Sequence, residues 1–278
     1  MKEKILTVNN CPTISVIMGA YNCEETIERA IQSIQDQTYR NWELIVCDDC
    51  STDSTYEILN RLAKEDKRIH VLHNEINLRL AATLNRCLSA SKGEYIARMD
   101  GDDISLPERF EKQLEFLSNN NEYAVVGSSI IVFDDVHDNY IRVNDEYPTS
   151  KVLLKHVPFW HPTIMMRKSA YELLSGYNAE ERTMRAEDVD IWFRFFEKGL
   201  NGYNILEPLY MYHEDLNDYK KRSIKAGIET AKVYFQGYRM LNFPCYTYVY
   251  SLRPIITALT PNAIMKIFHM AGNKRIKE

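Results

Sequence analysis

Apolar residues along the first hundred positions switch between two periods. Ile14-Ser15-Val16-Ile17-Met18 is a short, nearly continuous apolar run, the pattern of a strand covered on both faces. Gly19-Ala20-Tyr21-Asn22 breaks the run, and Ile27, Ala30, Ile31 and Ile34 then recur at helical spacing. Asn22, with Glu25 three residues on, is placed to cap that helix. The alternation repeats: a strand over 42–47 that ends in Asp48-Asp49, a polar turn, and a helix with Ile58, Leu59 and Leu62 facing inward. A strand over 69–72, a helix marked by Leu80, Leu84 and Leu88, and a strand from Tyr95 follow. Strands and helices alternating over short links predict an α/β fold, a mostly parallel sheet with helices on both faces. Ligands of such sheets sit beyond the carboxyl ends of the strands. Asp48/Asp49 and Asp100/Asp102 fall at such ends, so both pairs are expected to face one crevice.

Asp100-Gly101-Asp102-Asp103 packs three carboxylates into four positions. Two like charges at ~4 Å repel by about 4 kcal/mol at an effective dielectric of ~20. A divalent cation offsets that, and hard oxygen ligands suit Mg²⁺ or Mn²⁺. The competing reading is a solvated acidic turn before a helix, since Ser105 and Glu108 form a capping box. A calcium loop starting at Asp100 fails at Ile104 and at Ser105, where the turn needs glycine. Further on, Val189, Trp192, Phe193 and Phe196 define a helix that Gly199 ends. Glu187 and Asp188 lie in its first turn, where the macrodipole favours anions.

Composition changes the picture in three ways. A net charge of −5 over 278 residues argues against binding nucleic acid by bulk electrostatics. Six cysteines behind a polar start, Met1-Lys2-Glu3-Lys4, lead us to expect a cytoplasmic, reduced protein. Cys47 and Cys50 form a C-x-x-C without a second pair, so Cys47 is expected to be a buried strand residue. Neither a dinucleotide glycine fingerprint nor a P-loop is present, so acidic residues and a metal would have to hold any nucleotide.

From Asp215 the chain turns basic and tyrosine-rich, with Lys220, Lys221, Arg222, Lys225, Lys232, Tyr234, Tyr238 and Arg239. Prolines 244, 254 and 261, with Arg253 among them, exclude a spanning helix of about 20 apolar residues. Aromatics mixed with cations mark an interfacial segment, and Lys266, Lys274, Arg275 and Lys277 add attraction to anionic lipid. Two readings stand: peripheral contact with the inner face of the cytoplasmic membrane, or a helical cap packed on the catalytic domain or a second copy.

Several separate blocks carry a family resemblance: 14–22, 33–39, 42–53 with Asp48-Asp49, 93–103, 106–109, 161–167 from His161, Gly176-Tyr177 and 186–192 with Glu187-Asp188. Over roughly residues 12 to 213 the chain resembles the inverting GT-A glycosyltransferases of family 2, of the bacterial polysaccharide and lipid-linked-glycan type. The resemblance implies a GT-A catalytic domain at 1–214, with a nucleotide half near 12–103 and an acceptor half near 104–214, and a helical extension at 215–278. It implies that Asp48 and Asp49, with Ala20, Tyr21 and Asn22, hold the nucleotide of a UDP-sugar donor. Asp100 and Asp102 become the Asp-x-Asp ligands of Mn²⁺ or Mg²⁺, with His213 beside them. Glu187 and Asp188 become the acidic pair at the acceptor, Asp188 as general base, and His161 lines the acceptor side. The acceptor would be a glycan or a lipid-linked saccharide, and a homodimer is compatible with the extension.

Three positions depart from the family pattern. Cys50 replaces the glycine after the aspartate pair, Arg79 stands at the glycine of Asn-x-Gly, and Ser175 takes the first glycine of Gly-Gly-Tyr. Arg79 is thereby placed either to meet the diphosphate or to point to solvent. Two rival functions remain at this stage. A sugar nucleotidyltransferase would need a basic, glycine-rich loop after the first strand, and Gly19-Ala20-Tyr21-Asn22 has no basic residue. The other rival is a catalytically inactive subunit that binds nucleotide-sugar.

Overall fold

The computed structural model describes residues 12–134, 139–214, 223–260 and 274–275. Its first half is the expected alternation: β1 (Ile14–Ala20), α1 (Ile27–Gln35), β2 (Trp42–Asp48), α2 (Thr55–Glu65), β3 (Ile69–His73), α3 (Leu80–Ala90) and β4 (Tyr95–Arg98). β1 pairs in parallel with β2 and β4, and β3 continues the parallel order beyond β2. After β4 come β5 (Ile104–Ser105), α4 (Arg109–Asn119), β6 (Tyr123–Phe133), β7 (Tyr140–Arg142), β8 (Met165–Arg167) and α5 (Lys168–Leu173). The chain ends with α6 (Glu187–Glu197), β9 (Asn201–His213), α7 (Ile224–Met240), a 3₁₀ stretch (Cys245–Leu252), α8 (Arg253–Leu259) and β10 (Lys274–Arg275). The strand order is β10-β7-β6-β8-β4-β1-β2-β3, with β9 beside β6 and β5. β8 runs antiparallel to both β4 and β6, which interrupts the parallel order, and β9 then pairs in parallel with β6. The two residues of β10 pair with β7, which places Lys274 and Arg275 at the edge of the central sheet.

Strand alternation divides the interior into two cores. Val16, Met18, Leu44 and Val46 meet α1, α2 and α4 on one face. Ile17, Ile45, Cys47 and Ile96 meet α3, α5 and α6 on the other. Cys47 is fully buried in β2, as its place in the run implied.

Two expected caps are absent, for one reason. α1 begins at Ile27, not at Asn22. Asn22 instead sits at φ 49 and its Oδ1 accepts the Thr52 N–H at 2.8 Å. The turn is laced to the 51–55 loop, where Cys23 N–H donates to Thr55 Oγ1 and Ser54 N–H to Glu24 Oε2. Ser105 lies in β5, its N–H on Ser33 Oγ and its own Oγ receiving Gln37 Nε2, and α4 starts at Arg109. In both places a partner distant in sequence takes the side chain that local spacing assigned to a cap.

Helices α7 and α8 pack on α6 and the 153–155 turn. Tyr234 and Tyr238 of α7 lie edge-on to Phe193 of α6, with ring centroids 5.8 and 5.7 Å apart. The Tyr238 hydroxyl donates to the Leu153 carbonyl, and Arg253 donates to the carbonyls of Leu154 and Lys155. Among the described residues no helix is long and apolar enough to cross a membrane. Lys220, Lys221, Arg222, Lys266 and Lys277 lie outside the described residues.

The seat of α7 is Gly237, where a Cβ would overlap the Phe193 ring. Alanine gains roughly 1 kcal/mol of helix propensity there, while overpacking costs about 1–3 kcal/mol. Gly237→Ala is therefore expected to lower Tm by a few degrees in a thermal melt; an unchanged or higher Tm would show that α7 is not seated on that ring.

Candidate functional site

β4 ends at Arg98, and the acidic turn that follows is held from three sides. Thr26 Oγ1 donates to the Gly101 carbonyl at 2.9 Å, and Arg29 reaches the Asp102 carbonyl at 3.3 Å. From β9, the Tyr210 hydroxyl accepts the Asp100 N–H, and the His213 N–H donates to Asp103 Oδ1 at 2.7 Å. The Arg98 guanidinium, 4% exposed, forks onto both Asp100 oxygens at 2.5 Å. Carboxylate oxygens of Asp100, Asp102 and Asp103 lie within 4.8 Å of one another. Asp103 Oδ2 is buried without a hydrogen-bond partner.

The electrostatics follow from that crowding. Asp102 reaches the surface, yet enough protein surrounds its carboxyl that desolvation, with the Asp100 charge, pushes it up to about 6. Burial, then the charges of Asp100 and Asp102, hold Asp103 well above the usual carboxylate range. Beside the turn opens a cavity of about 590 Å³ rimmed by Tyr21, Asn22, Asp53, Asp100, Asp102 and His213.

Asp48 and Asp49 do not line that cavity. Asp48 is fully buried; its Oδ2 takes the Ser51 N–H and faces His73 Nδ1 at 2.9 Å, and its Oδ1 has no partner. Asp49 accepts from Asn74 Nδ2 and Leu78 N–H on one oxygen and from Arg79 N–H on the other, at 2.7, 2.7 and 2.9 Å. Its N–H donates to the Ala20 carbonyl at 2.8 Å, which joins the ends of β1 and β2. The carboxylate thus fixes the turn before α3, where Arg79 stands at φ 72 and ψ 163, a region occupied almost only by glycine.

Arg79 and Glu187 line a second hollow of about 1080 Å³, with Leu80, Met184, Arg185 and Lys225. Burial, then the neighbouring Asp188 charge, pushes Glu187 up to about 7. Burial also raises Asp188, whose Oδ1 accepts the Val189 N–H at 2.8 Å. Arg98 acts on both in the opposite sense, and Asp100 adds to the rise of Asp188. The acidic tip and the start of α6 therefore share one electrostatic field. They do not share one hollow: Asp102 lines the smaller, Glu187 the larger, and Asp49 is committed inside its turn.

His161 is a correction. It was expected to line the acceptor side, but the 3₁₀ turn at His161–Thr163 carries it into the core, where Nε2 meets the Tyr177 hydroxyl at 2.9 Å. Burial, helped by Arg98, holds its imidazole well below the ordinary range, so it packs as a neutral ring against Trp192. Residues not singled out from the sequence include Arg98 and Tyr210. Only Arg98 left a signal, a cation inside a strand otherwise apolar or aromatic.

A sheet parallel in its first half and mixed beyond, with an Asp-x-Asp turn at the tip of the junction strand, defines the GT-A class of fold. The chain belongs to glycosyl transferase family 2, whose model matches residues 15–174. It is 47% identical over 263 residues to the putative glycosyltransferase EpsE of Bacillus subtilis (strain 168), covering 94% of this chain and 95% of that one. It is 28% identical over 202 residues to WfaP of Escherichia coli, described as a UDP-Glc:alpha-D-GlcNAc-diphosphoundecaprenol beta-1,3-glucosyltransferase, covering 72% of this chain and 77% of that one. The structure of S. aureus TarS 1-349 in complex with UDP-GlcNAc matches with a TM-score of 0.62 at 17% identity, over 89% of this chain and 82% of that one. The mannosyltransferase PcManGT from Pyrobaculum calidifontis, in complex with GDP-Man and Mn²⁺, matches with a TM-score of 0.60 at 18% identity, over 94% and 80%. At these identities the structural likeness bears on the fold.

Two outcomes follow from the site. Arg79→Gly relieves about 1–3 kcal/mol of backbone strain against roughly 0.5–1 kcal/mol of added chain entropy. The variant is expected to melt a few degrees higher; a lower Tm would contradict the strain. Glu187 keeps its proton to about pH 7 when folded but titrates near 4.5 when unfolded, so the folded state binds more protons in that window. Its contribution to stability is thus present at low pH and lost as pH rises through about 7. Urea unfolding of Glu187→Gln should show the variant gaining on the parent between pH 5 and pH 8; a constant difference would show that Glu187 is not held up.

Proposed function

We propose that this glycosyltransferase moves a sugar from a UDP-sugar to the hydroxyl of a glycan or lipid-linked saccharide, with inversion at the anomeric carbon. The observation that carries the reading is the crowded Asp100-Gly101-Asp102-Asp103 tip beside the 590 Å³ cavity. Tyr21 and Asn22 offer that cavity an aromatic face and an amide. The UDP-GlcNAc bound to a structure of this fold, and the UDP-Glc in the name of a relative, support a uridine donor.

The residues present fit a hard divalent cation. Asp100, Asp102 and Asp103 offer clustered oxygens, one of them buried and unpartnered, and His213 stands at the rim. Asp102 and Asp100, with His213, would hold Mn²⁺ or Mg²⁺. Such an ion, when bound, neutralises the diphosphate and the charge left on the departing nucleoside diphosphate.

The protein's own part is proton transfer and orientation. Asp188 takes the proton of the acceptor hydroxyl as its oxygen bonds the anomeric carbon, and the bond from that carbon to the diphosphate oxygen breaks. One displacement inverts the centre, so no carboxylate need act as a covalent nucleophile. Arg98 keeps Asp188 closer to the charged, basic form than burial alone would allow. Glu187, at the wall of the larger hollow, orients the acceptor. A lipid-linked acceptor, as in the name of one relative, would place the enzyme at the inner face of the cytoplasmic membrane.

Asp188→Asn is expected to lower kcat by about 10²–10⁴-fold and to keep the UDP-induced rise in Tm, measured with and without Mn²⁺. Full activity in that variant would remove the base assignment. A parent protein that UDP fails to stabilise, with Mn²⁺ present or absent, would argue for another donor.

A further inference from the structure

The segment 245–259 is folded inside out. Tyr246, Val249, Leu252, Ile256 and Leu259 are 78, 61, 49, 61 and 61% exposed, whereas the polar Thr247 and Ser251 are buried. Those two hydroxyls are satisfied locally, on the carbonyls of Pro244 and Tyr248, at 2.7 Å each. A 3₁₀ turn has three residues, so 246, 249 and 252 align on one side. Residues 256 and 259 of α8 continue that line at helical spacing, and α8 buries none of its residues. Phe235 of α7, also exposed, meets the Tyr248 ring at 5.3 Å and widens the apolar face.

Charge says what covers it. Within a chain of net charge −5, residues 230–260 hold Lys232, Arg239 and Arg253 and no Asp or Glu, the nearest acid being Glu229, which pairs with Lys232. A second copy meeting this face across a two-fold axis would bring cation against cation. An anionic lipid surface instead meets cations with headgroups, apolar residues with acyl chains, and Tyr246 and Tyr250 with the interfacial belt.

We propose that the 245–259 stripe docks on an anionic membrane surface and presents the enzyme to an acceptor held there. Between α7, α8 and the 153–155 turn lies a cavity of about 600 Å³ lined by Tyr234, Tyr238, Tyr250, Arg253 and Ile256. It shares Arg185, Ser223 and Ala226 with the hollow that holds Glu187. A saccharide whose lipid stays in the bilayer therefore has a route from the edge of the stripe to the start of α6. Only this purpose rests on the acceptor reading above; docking itself is measured without turnover.

The test is flotation of the full chain with phosphatidylcholine vesicles, with and without phosphatidylglycerol. The parent is expected to float with the anionic vesicles, less so in high salt. Val249→Glu/Leu259→Glu should bind them at least about tenfold more weakly, with Tm and transfer to a water-soluble acceptor unchanged. A parent that does not float, or a double variant that floats equally, overturns the proposal. So does a parent dimer in sedimentation that the double variant dissociates while neither binds vesicles. Vesicle binding without transferase activity would leave the surface and remove the acceptor reading; the reverse result would do the opposite.

Discussion

One guanidinium holds the site together. Arg98 is almost fully buried, and burying an ion costs several kcal/mol unless a partner compensates it. Its bidentate grip on Asp100 supplies that compensation in the geometry that suits Arg best. The pair leaves Asp102 and Asp103 on one side, and Glu187 and Asp188 on the other, in a field with too little positive charge. Burial raises all four, the neighbouring carboxylates add to the rise, and Arg98 works against it at Asp102, Glu187 and Asp188. Lysine in place of Arg98 would keep the charge but lose the fork. Asp100 would then be free to turn toward Asp102, and the order of the tip would be lost.

Around that pair, side chains bonded to backbone do more than secondary structure to fix the working loops. Asp49 holds two consecutive N–H groups of the 78–79 turn, and Asn22 and the 51–55 loop are tied by reciprocal bonds. Tyr210 and His213 bring the end of β9 to the acidic turn. These loops are thereby tied to one another by bonds between residues far apart in the chain, the kind of support that a precisely positioned site requires.

What the sequence disclosed was what depends on near neighbours. The strands and helices of the first half, the buried Cys47 and the end of α6 at Gly199 all follow from spacing of two, three or four residues, and Gly199 stands at φ 69 as a helix-ending glycine should. Asn22 and Ser105 were misjudged because each is claimed by a partner far along the chain. His161 was misjudged because its aromatic neighbours suit a binding wall and a core equally well. Cys50, Arg79 and Ser175 were noticed only as departures from a pattern, yet they share a cause: their φ values are 62, 72 and 57. Glycine suits those positions for its backbone, so the substitutions keep the turn and add strain. Tyr210 could not be singled out, because within an aromatic run nothing marks the one hydroxyl that reaches the acidic turn.

The C-terminal extension shows why two sequence readings that looked exclusive are compatible. A cap on the catalytic domain and a membrane-facing segment make different demands on different faces. α7 meets the first demand with Tyr234, Tyr238 and the gap at Gly237, which fill the space over Phe193. Once those aromatics have closed the core, the 245–259 segment adds the Tyr248 ring beside Tyr238, and its small hydroxyl residues Thr247 and Ser251 line the inner side with it. Its large apolar residues are then directed outward by the periodicity of the turn itself. An exposed row of that kind is unfavourable in water. It is therefore better understood as a surface built for contact than as an incompletely buried core.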